Sequence, residues 1–319
     1  MKKIVFLLLT ALCCVGSHAQ AVFVKTFDYA EKEGDTLRLD VYAQAPIDQE
    51  ARRPVLIFSF GGAWVEGSRE AGWSILEHFA RKGYIAVGID YRLGIRRLKE
   101  RGVEMDATNF ATAYADAIRM GMEDLFDATR FVIDHAGVWQ ADTSRIVACG
   151  SSAGAINSLT AEYLICNDHP LATSRLPKGF NFAAVISCAG GIWLQDTPSL
   201  TWRRKPCPIL AYHGTSDQLV PYGRYSMGQG QFTAFGPDHY MPEVKAMGVP
   251  TLFHRYADTD HKIAFIYSHE WARHEMLGFL YRTLYLQEQL HVDSTEERPD
   301  LAPDTKTFRD TLHEMGVEE

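Results

Sequence analysis

The chain has 319 residues and a formal net charge of −8 at pH 7, with 46% hydrophobic and 23% charged residues. These ordinary proportions exclude a disordered chain, and the lack of a Gly-X-Y period excludes a collagen-like one. The acidic balance also argues against a large basic surface, so no nucleic-acid partner is expected.

The first residues have the pattern of an export signal. Two lysines precede an apolar run over residues 4–15, and a small-x-small cleavage site ends at Ala19. Because the run is short for a membrane span, we expect a signal peptide over residues 1–19 and a secreted or periplasmic protein without stable membrane insertion. An uncleaved anchor and a lipid anchor at Cys13 are alternatives, although the bulky Leu12 fits a lipidation motif poorly.

After this leader, predicted strands alternate with predicted helices. The first two strands cover residues 22–29 and 37–42, and the second alternates apolar and charged residues as an antiparallel edge pair does. The other predicted strands are residues 54–60, 84–89, 146–149, 183–188, 208–212 and 251–256, and the predicted helices are residues 70–82, 117–136, 153–164 and 264–286. This alternation predicts one α/β domain over residues 20–286, with a mostly parallel sheet covered by helices on both faces.

Three segments do not fit this alternation. Residues 93–114 are rich in charged and loop-forming residues, and residues 222–247 combine Gly, Pro and Met with aromatics. Each is interpreted as an active-site rim or lid, with a solvated surface excursion as the alternative. Residues 287–319 are acidic and interrupted by prolines, which predicts a loosely packed C-terminal tail with a short helix near residues 305–315.

The sequence Gly150-Ser151-Ser152-Ala153-Gly154 matches the G-x-S-x-G nucleophile elbow. A serine at the tip of a sharp strand-to-helix turn needs small neighbours two residues before and after it. A strand-like run precedes this motif and a helix-like run follows it, which is the context that the motif requires. Ser152 is therefore the predicted nucleophile, and a Ser/Gly-rich turn without chemistry is the alternative.

A serine hydroxyl is a weak nucleophile, so it needs an imidazole that takes its proton. His261 is the predicted base, because it lies in the loop between the last predicted strand and the final helix. His213 ends the preceding strand, whereas His254 lies inside a strand and is expected to be a core or face residue. Histidines on the final helix are expected to be solvated.

An acid is needed to orient the imidazole. Asp217 follows the strand at residues 208–212 and gives the chain order Ser, Asp, His that the nucleophile elbow's fold requires. Asp258 and Asp260 are rivals because they are close to His261 in the sequence. That closeness makes them poor orienting groups, since a side chain adjacent to the histidine usually points elsewhere. Asp217 is therefore the predicted acid.

The segment Phe60-Gly61-Gly62-Ala63-Trp64 follows a buried predicted strand. Small residues there let the backbone turn its N–H groups inward, where they can stabilise the oxyanion of a tetrahedral intermediate. The predicted donors are the N–H groups of Gly62 and Ala63, with that of Ala153 as their partner. Purely structural turn glycines are the alternative.

The four cysteines beyond the leader match no zinc-ligand spacing. Cys149 and Cys188 lie in apolar strand-like runs and are predicted to be buried free thiols. A disulfide between Cys166 and Cys207 stays open, because an exported protein can form one.

No metal or cofactor is predicted. A metal site is an alternative for a group of Asp and His side chains, but their spacing matches no known ligand pattern. These side chains are Asp258, Asp260, His261 and His254. An aromatic platform that binds a sugar or phenolic ring is an alternative role for three tryptophans, namely Trp64, Trp193 and Trp202. Core packing is the expected role of each tryptophan taken alone, apart from Trp64 beside the oxyanion segment.

Together these motifs resemble the α/β-hydrolase superfamily, and in particular its secreted esterase/lipase group with an HGGGW-type oxyanion loop, which includes acetyl and feruloyl esterases. The segment Asp90-Tyr91-Arg92-Leu93 also resembles a segment of that family. Two residues depart from the pattern: Phe60 stands where the family has histidine, and Ala63 stands where it has a third glycine. We expect these departures to alter substrate preference more than activity.

The resemblance implies an exported serine carboxylesterase that cleaves an acetyl or feruloyl ester on a plant or host glycan. Its partners would be a small-molecule or glycan ester. A serine peptidase of the same fold is an alternative, although the sequence contains no propeller domain. The other alternative is a non-catalytic glycan-binding protein on a hydrolase scaffold.

Overall fold

The computed structural model describes residues 21–45, 51–106, 108–227 and 232–297. The strands in this part of the chain are β1 (Val22–Lys32), β2 (Asp35–Gln44), β3 (Arg53–Ser59), β4 (Ile85–Ile89), β5 (Ala141–Ser151), β6 (Ala184–Cys188), β7 (Ile192–Gln195), β8 (Ile209–Gly214), β9 (Arg224–Met227), β10 (Phe232–Phe235), β11 (Thr251–Ala257) and β12 (His291–Glu297).

These strands form one large sheet and one small sheet. The large sheet has nine strands in the order β1-β2-β4-β3-β5-β6-β8-β11-β12, and the small one has the order β7-β10-β9. From β4 to β12 every neighbouring pair of the large sheet is parallel, whereas β2 is antiparallel to both β4 and β1. The small sheet is antiparallel throughout.

Helices cover both faces of the large sheet. They are α1 (Trp73–Arg81), α2 (Gly94–Glu100), α3 (Phe110–Asp134), α4 (Ala136–Trp139), α5 (Ala153–Cys166), α6 (Pro170–Thr173), α7 (Pro237–Ala246) and α8 (Glu270–Leu280). Helix α3 packs against α5, and α1 packs against α8. The predicted fold class, a mostly parallel sheet between two layers of helices, is confirmed.

The central strands form where the sequence is apolar without interruption. Strands β4 and β6 are buried along their whole lengths, and so is β3 after its first residue. Strands covered by helices on both faces have no polar face, so an alternating pattern is not needed. Strand β2 lies nearer the edge, and its Arg38 is exposed between buried Leu37 and Leu39, as the alternation predicts.

Two segments that the sequence leaves irregular contain regular structure. The 93–114 segment includes all of α2 and the beginning of α3, which starts seven residues before the predicted helix. The 222–247 segment contains β9, β10 and α7, so two strands of the small sheet lie there. Strands β9 and β10 have four residues each and α2 has seven, so these elements are too short to show a clear hydrophobic period.

The C-terminal part also differs from the sequence prediction. The single helix predicted over residues 264–286 is wrong: a 3₁₀ segment (His261–Ser268) precedes α8, and a π-helical turn (Tyr281–Tyr285) follows it. The extended backbone of His269 separates the first two pieces. Strand β12 lies in the predicted loose tail and pairs in parallel with β11, so the sheet extends to Glu297.

Two predicted features lie outside the described residues, namely the signal peptide over residues 1–19 and the short helix near residues 305–315.

The cysteines of the described residues are all buried and free, namely Cys149, Cys166, Cys188 and Cys207. Burial raises the pKa of each of these thiols, which makes them poor nucleophiles.

Candidate active site

Ser152 lies at the sharp turn between β5 and α5. Its backbone has φ 50° and ψ −120°, and a non-glycine residue keeps a positive φ only when its surroundings enforce it. A Cβ on Gly150 would lie 2.3 Å from the Gly154 carbonyl, and one on Gly154 would lie 2.1 Å from the carbonyl oxygen of Ser59. The Ser152 N–H donates to Cys188 O at 2.8 Å, so the turn is also attached to β6.

The structure brings Ser152, His261 and Asp217 into one hydrogen-bonded row. His261 Nε2 lies 2.8 Å from Ser152 Oγ, and His261 Nδ1 lies 2.7 Å from Asp217 Oδ2. A carboxylate can only accept a hydrogen bond, so Nδ1 carries the imidazole proton. The lone pair on Nε2 then faces the serine hydroxyl, which is the arrangement that a general base requires.

The Asp217 carboxylate is buried and tightly held in the turn after β8. Its Oδ1 accepts the N–H groups of Leu219 and Val220, both at 2.9 Å. Burial alone would raise the pKa of Asp217, but the charge and the hydrogen bond of His261 outweigh it and lower the pKa. The carboxylate is therefore ionised beside His261, where it can stabilise an imidazolium.

The two rival carboxylates have other contacts. Asp260 accepts the N–H of Lys262 at 2.9 Å and so caps the 3₁₀ segment that begins at His261. Asp258 is exposed in the preceding turn, where its N–H donates to the Thr215 hydroxyl. The carboxylate that contacts His261 Nδ1 is thus that of Asp217, which follows the neighbouring strand β8.

His254 lies in β11 with its side chain between Glu275 and Glu296, at 2.9 and 2.8 Å. It does not join Asp258, Asp260 and His261 in a cluster. Within the described ranges, no three His, Cys, Asp or Glu side chains are placed so that they could hold a metal ion.

The segment after β3 bends tightly against the nucleophile. Gly62, Ala63 and Trp64 have positive φ angles of 124°, 51° and 55°, and a Cβ on Gly61 would lie 3.0 Å from the Ser152 Cβ. Among the described residues, none accepts a hydrogen bond from the N–H of Gly62 or Ala63, and the same holds for Ala153 at the start of α5. Within the described part of the chain, the three predicted donors therefore have no protein acceptor.

Side chains from other elements hold this segment in place. The Tyr91 hydroxyl donates to Phe60 O at 2.7 Å, and the two rings stack with centroids 4.3 Å apart. The backbone N–H of Arg96 donates to Trp64 O at 3.1 Å. The Trp64 indole donates to Asn157 Oδ1 at 3.1 Å, which ties the segment to the helix that follows the nucleophile. No local sequence pattern indicates these roles of Arg96 and Asn157.

The three tryptophans do not form an exposed platform. Trp64 and Trp193 are only 1% and 4% exposed, and their ring centroids lie 6.2 Å apart. Trp202 packs instead against Tyr163. Core packing, the expected role of Trp193 and Trp202, fits these positions, and Trp64 is buried as well.

Two further side chains contact the site. The Ser151 hydroxyl donates to Ala264 O at 2.7 Å and so links the nucleophile turn to the segment that carries His261. His213, the other histidine at a strand end, places Nε2 3.4 Å from Asp217 Oδ2. The sequence indicated neither contact, because the first joins distant parts of the chain and the second depends on the conformation of the turn after β8.

A serine at a strand-to-helix turn on a mostly parallel sheet between two helical layers defines an α/β-hydrolase fold. The chain belongs to the BD-FAE family, whose family model matches residues 39–201. This matched region contains Ser152 and the oxyanion segment, whereas Asp217 and His261 lie beyond it.

Individual relatives are esterases. Esterase LipC of Mycobacterium tuberculosis (strain ATCC 25618 / H37Rv) is 33% identical over 146 residues, which is 45% of this chain and 31% of that protein. Carboxylesterase 1C of Rattus norvegicus is 28% identical over 152 residues, 48% of this chain and 25% of that protein. The chain thus spans about a third or less of the length of these curated relatives.

A solved structure extends the likeness over most of the chain. Esterase 2 of Thermogutta terrifontis, phosphonylated by sarin, superposes with a TM-score of 0.58 at 19% identity. The superposition covers 81% of this chain and 94% of that one. At this identity the likeness shows the shared fold.

Proposed function

We propose that this protein is a serine carboxylesterase that hydrolyses a carboxylic ester through an acyl-enzyme. The observation that carries the proposal is the pair of contacts at His261, 2.8 Å to Ser152 Oγ and 2.7 Å to Asp217 Oδ2. Membership of the BD-FAE family and the esterase relatives support the same reaction class.

In the acylation step, Ser152 Oγ attacks the ester carbonyl while His261 Nε2 takes its proton. Asp217 keeps the proton of His261 on Nδ1 and stabilises the imidazolium that forms. The carbonyl oxygen gains negative charge in the tetrahedral intermediate. The N–H groups of Gly62, Ala63 and Ala153 are the donors proposed to stabilise it, and each such donor can contribute about 3 kcal/mol.

The intermediate collapses when the ester C–O bond breaks and His261 returns its proton to the departing alcohol. Water then enters, and His261 takes a proton from it while the water oxygen attacks the acyl carbonyl. The bond between the acyl carbon and Ser152 Oγ then breaks, His261 returns the proton to Oγ, and the acid leaves. Each proton moves through His261 alone, so no cofactor is needed.

For the substrate, we propose an acetyl or feruloyl ester on a plant or host glycan. Family membership and the resemblance of the oxyanion segment support this choice, as does the predicted export signal over residues 1–19, which would bring the enzyme to extracellular polymers. In the described part of the chain no helix has the length and apolar character to cross a membrane. Export can be tested by N-terminal sequencing of the mature protein, which should begin after Ala19.

The test is hydrolysis of nitrophenyl acetate, butyrate and octanoate, methyl ferulate and acetylated xylan by wild type and Ser152→Ala. We expect Ser152→Ala to lose several powers of ten in rate. Ser158→Ala is the matched control, because this buried hydroxyl donates only to Gly154 O within α5 and should leave the rate unchanged.

A fluorophosphonate probe provides a second readout that does not depend on the substrate. It should label wild type and Ser158→Ala on Ser152, and it should not label Ser152→Ala. If no ester is turned over and the probe labels nothing, the proposed function is wrong. Labelling without ester turnover would favour the peptidase alternative, and glycan binding without labelling would favour the binding-protein alternative.

A further inference from the structure

His213 is a buried histidine beside the acid of the proposed triad. It lies in β8, one residue before the strand ends, and only 1% of its side chain is exposed. Its Nε2 lies 3.1 Å from the carbonyl oxygen of Val220 and 3.4 Å from Asp217 Oδ2. Both neighbours are acceptors, so Nε2 must carry a proton.

The surroundings of His213 keep it neutral. Burial lowers the pKa of His213, although the charge of Asp217 acts in the opposite direction. The other titratable groups that face it are His261 and the phenol of Tyr222, whose ring centroid lies 6.1 Å away. Arg255 is its register partner on β11 but directs its guanidinium to Asp293. His213 therefore presents a neutral, fixed N–H to the carboxylate.

We infer that His213 is a positioning residue for ester hydrolysis, which orients the Asp217 carboxylate toward His261 by placing its Nε2–H beside Oδ2. The inference rests on the proposed function, because it assigns a role within the same triad. Val220 O is the closer acceptor, so the N–H also joins the two ends of the turn that carries Asp217.

The contacts of the carboxylate explain why a further N–H matters. Asp217 Oδ1 is held by two backbone amides, whereas Oδ2 has His261 Nδ1 as its hydrogen-bond donor. The partial positive charge at His213 Nε2 lowers the electron density on Oδ2 and restricts rotation of the carboxylate. Without it, Oδ2 would attract the His261 imidazolium more strongly and would hold it in a less defined direction.

The test compares two substitutions that differ in one N–H group. His213→Phe keeps a planar ring of similar size without a donor, and His213→Gln keeps an amide N–H near the position of Nε2. We expect His213→Phe to lower kcat about tenfold with little change in KM, because orientation acts on the chemical step. The acid limb of its pH–rate profile should move to higher pH, since the more negative carboxylate stabilises the His261 imidazolium. His213→Gln should restore both.

His254→Phe is the matched control, because His254 is also buried against a carboxylate but contacts none of the triad. It should lose stability while keeping the acid limb of wild type. If folded His213→Phe keeps the kcat and acid limb of wild type, the inference is wrong. It is also wrong if the Phe and Gln variants lose kcat equally while the limb stays in place, since that pattern indicates packing alone.

A measurement on the wild-type protein keeps the inference testable if His213→Phe does not fold. In ¹⁵N-labelled protein, the His213 ring signals, assigned from their loss in His213→Gln, should report a neutral Nε2–H tautomer between pH 6 and 8. An Nδ1–H tautomer or an imidazolium would overturn the inference. This readout needs no substrate. It therefore tests the tautomer and charge of His213 even if the ester panel and the fluorophosphonate probe disprove the proposed function.

Discussion

The two sides of the Ser152–His261 hydrogen bond are built in different ways. On the nucleophile side, Ser152 is placed by its own backbone, with a positive φ and with glycines that leave no room for a Cβ. On the acid–base side, Asp217 lies in the turn after β8, and His261 begins the 3₁₀ segment that follows β11. Local backbone amides hold the Asp217 carboxylate, and its 2.7 Å contact with His261 joins residues that are distant in the chain.

This difference determines what each side tolerates. The nucleophile turn is a steric fit, so any added atom displaces backbone and the fold itself suffers. On the acid–base side, polar contacts position the side chains of Asp217 and His261. A substitution of either side chain can therefore leave the fold intact and still lower turnover. Measurements of unfolding and turnover on the same variant separate an effect on the fold from an effect on catalysis.

Asp217→Asn should give the largest effect on turnover. The amide keeps the shape of the side chain but removes the charge and can impose the wrong imidazole tautomer. We therefore expect kcat to fall roughly 10⁴-fold while the melting temperature changes by only a few degrees. Steady-state kinetics on nitrophenyl acetate and thermal unfolding of the same sample check this. A loss of less than tenfold would show that His261 does not depend on Asp217.

Gly154→Ala should give the largest effect on stability. The new Cβ would lie 2.1 Å from the carbonyl oxygen of Ser59, so β3 or α5 must move. We expect the free energy of unfolding to fall by about 3 kcal/mol, measured by urea titration. Gly137→Ala is the control, because a Cβ there meets nothing within 4 Å. Equal stability of the two variants would contradict a steric fit at the nucleophile turn.

Ser151→Ala tests the contact that joins the two sides. It removes the hydrogen bond to Ala264 O, which is buried, so we expect a loss of about 1–2 kcal/mol in unfolding free energy. Turnover should fall roughly tenfold, because the segment that carries His261 is no longer tied to the nucleophile turn. Ser158→Ala, whose hydroxyl bonds only within α5, should keep its turnover. Equal turnover in both variants would show that this link does not align the base.

The smallest effect is a change in melting temperature, expected on substitution of His254. This residue lies in β11, outside the candidate active site. Burial would lower the pKa of His254, but hydrogen bonds and charges from Glu275 and Glu296 outweigh it and raise the pKa. Its charge therefore stabilises the fold below the ordinary histidine pKa of about 6.5, and this contribution is lost as pH rises through the folded-state value. The melting temperature of wild type should exceed that of His254→Gln most at pH 5.5 and least at pH 8.5. A gap that widens with pH would contradict this.

The same contrast explains what the sequence could predict. The nucleophile elbow depends on residues adjacent in the chain, so Gly150 and Gly154 indicate the position of Ser152 directly. The central strands were also predictable, because burial on both faces leaves long apolar runs such as β3. The order Ser, Asp, His then narrowed the acid and base to Asp217 and His261, which the structure places in contact with each other.

Other features depend on contacts made only in the folded chain, and no local sequence pattern indicates them. Strand β12 has alternating polar residues that resemble a solvated tail, and it becomes a strand only because the edge of β11 is open to it. Asn157 looks like an ordinary helix residue until Trp64 is brought beside it. The sequence places His213 at the end of a predicted strand, but its contact with Asp217 depends on how the turn at 214–220 closes.

The backbone at Ser152 also bears on how this protein could evolve. Cysteine and threonine both offer a nucleophilic atom one bond beyond Cβ, and each could in principle replace serine. At φ 50°, however, a β-branched side chain is strongly disfavoured, whereas an unbranched thiol is accommodated like the hydroxyl. A descendant that kept this fold while exchanging its nucleophile would therefore pass to cysteine and not to threonine. The angle that exposes the hydroxyl thus also limits the chemistry that the scaffold can acquire.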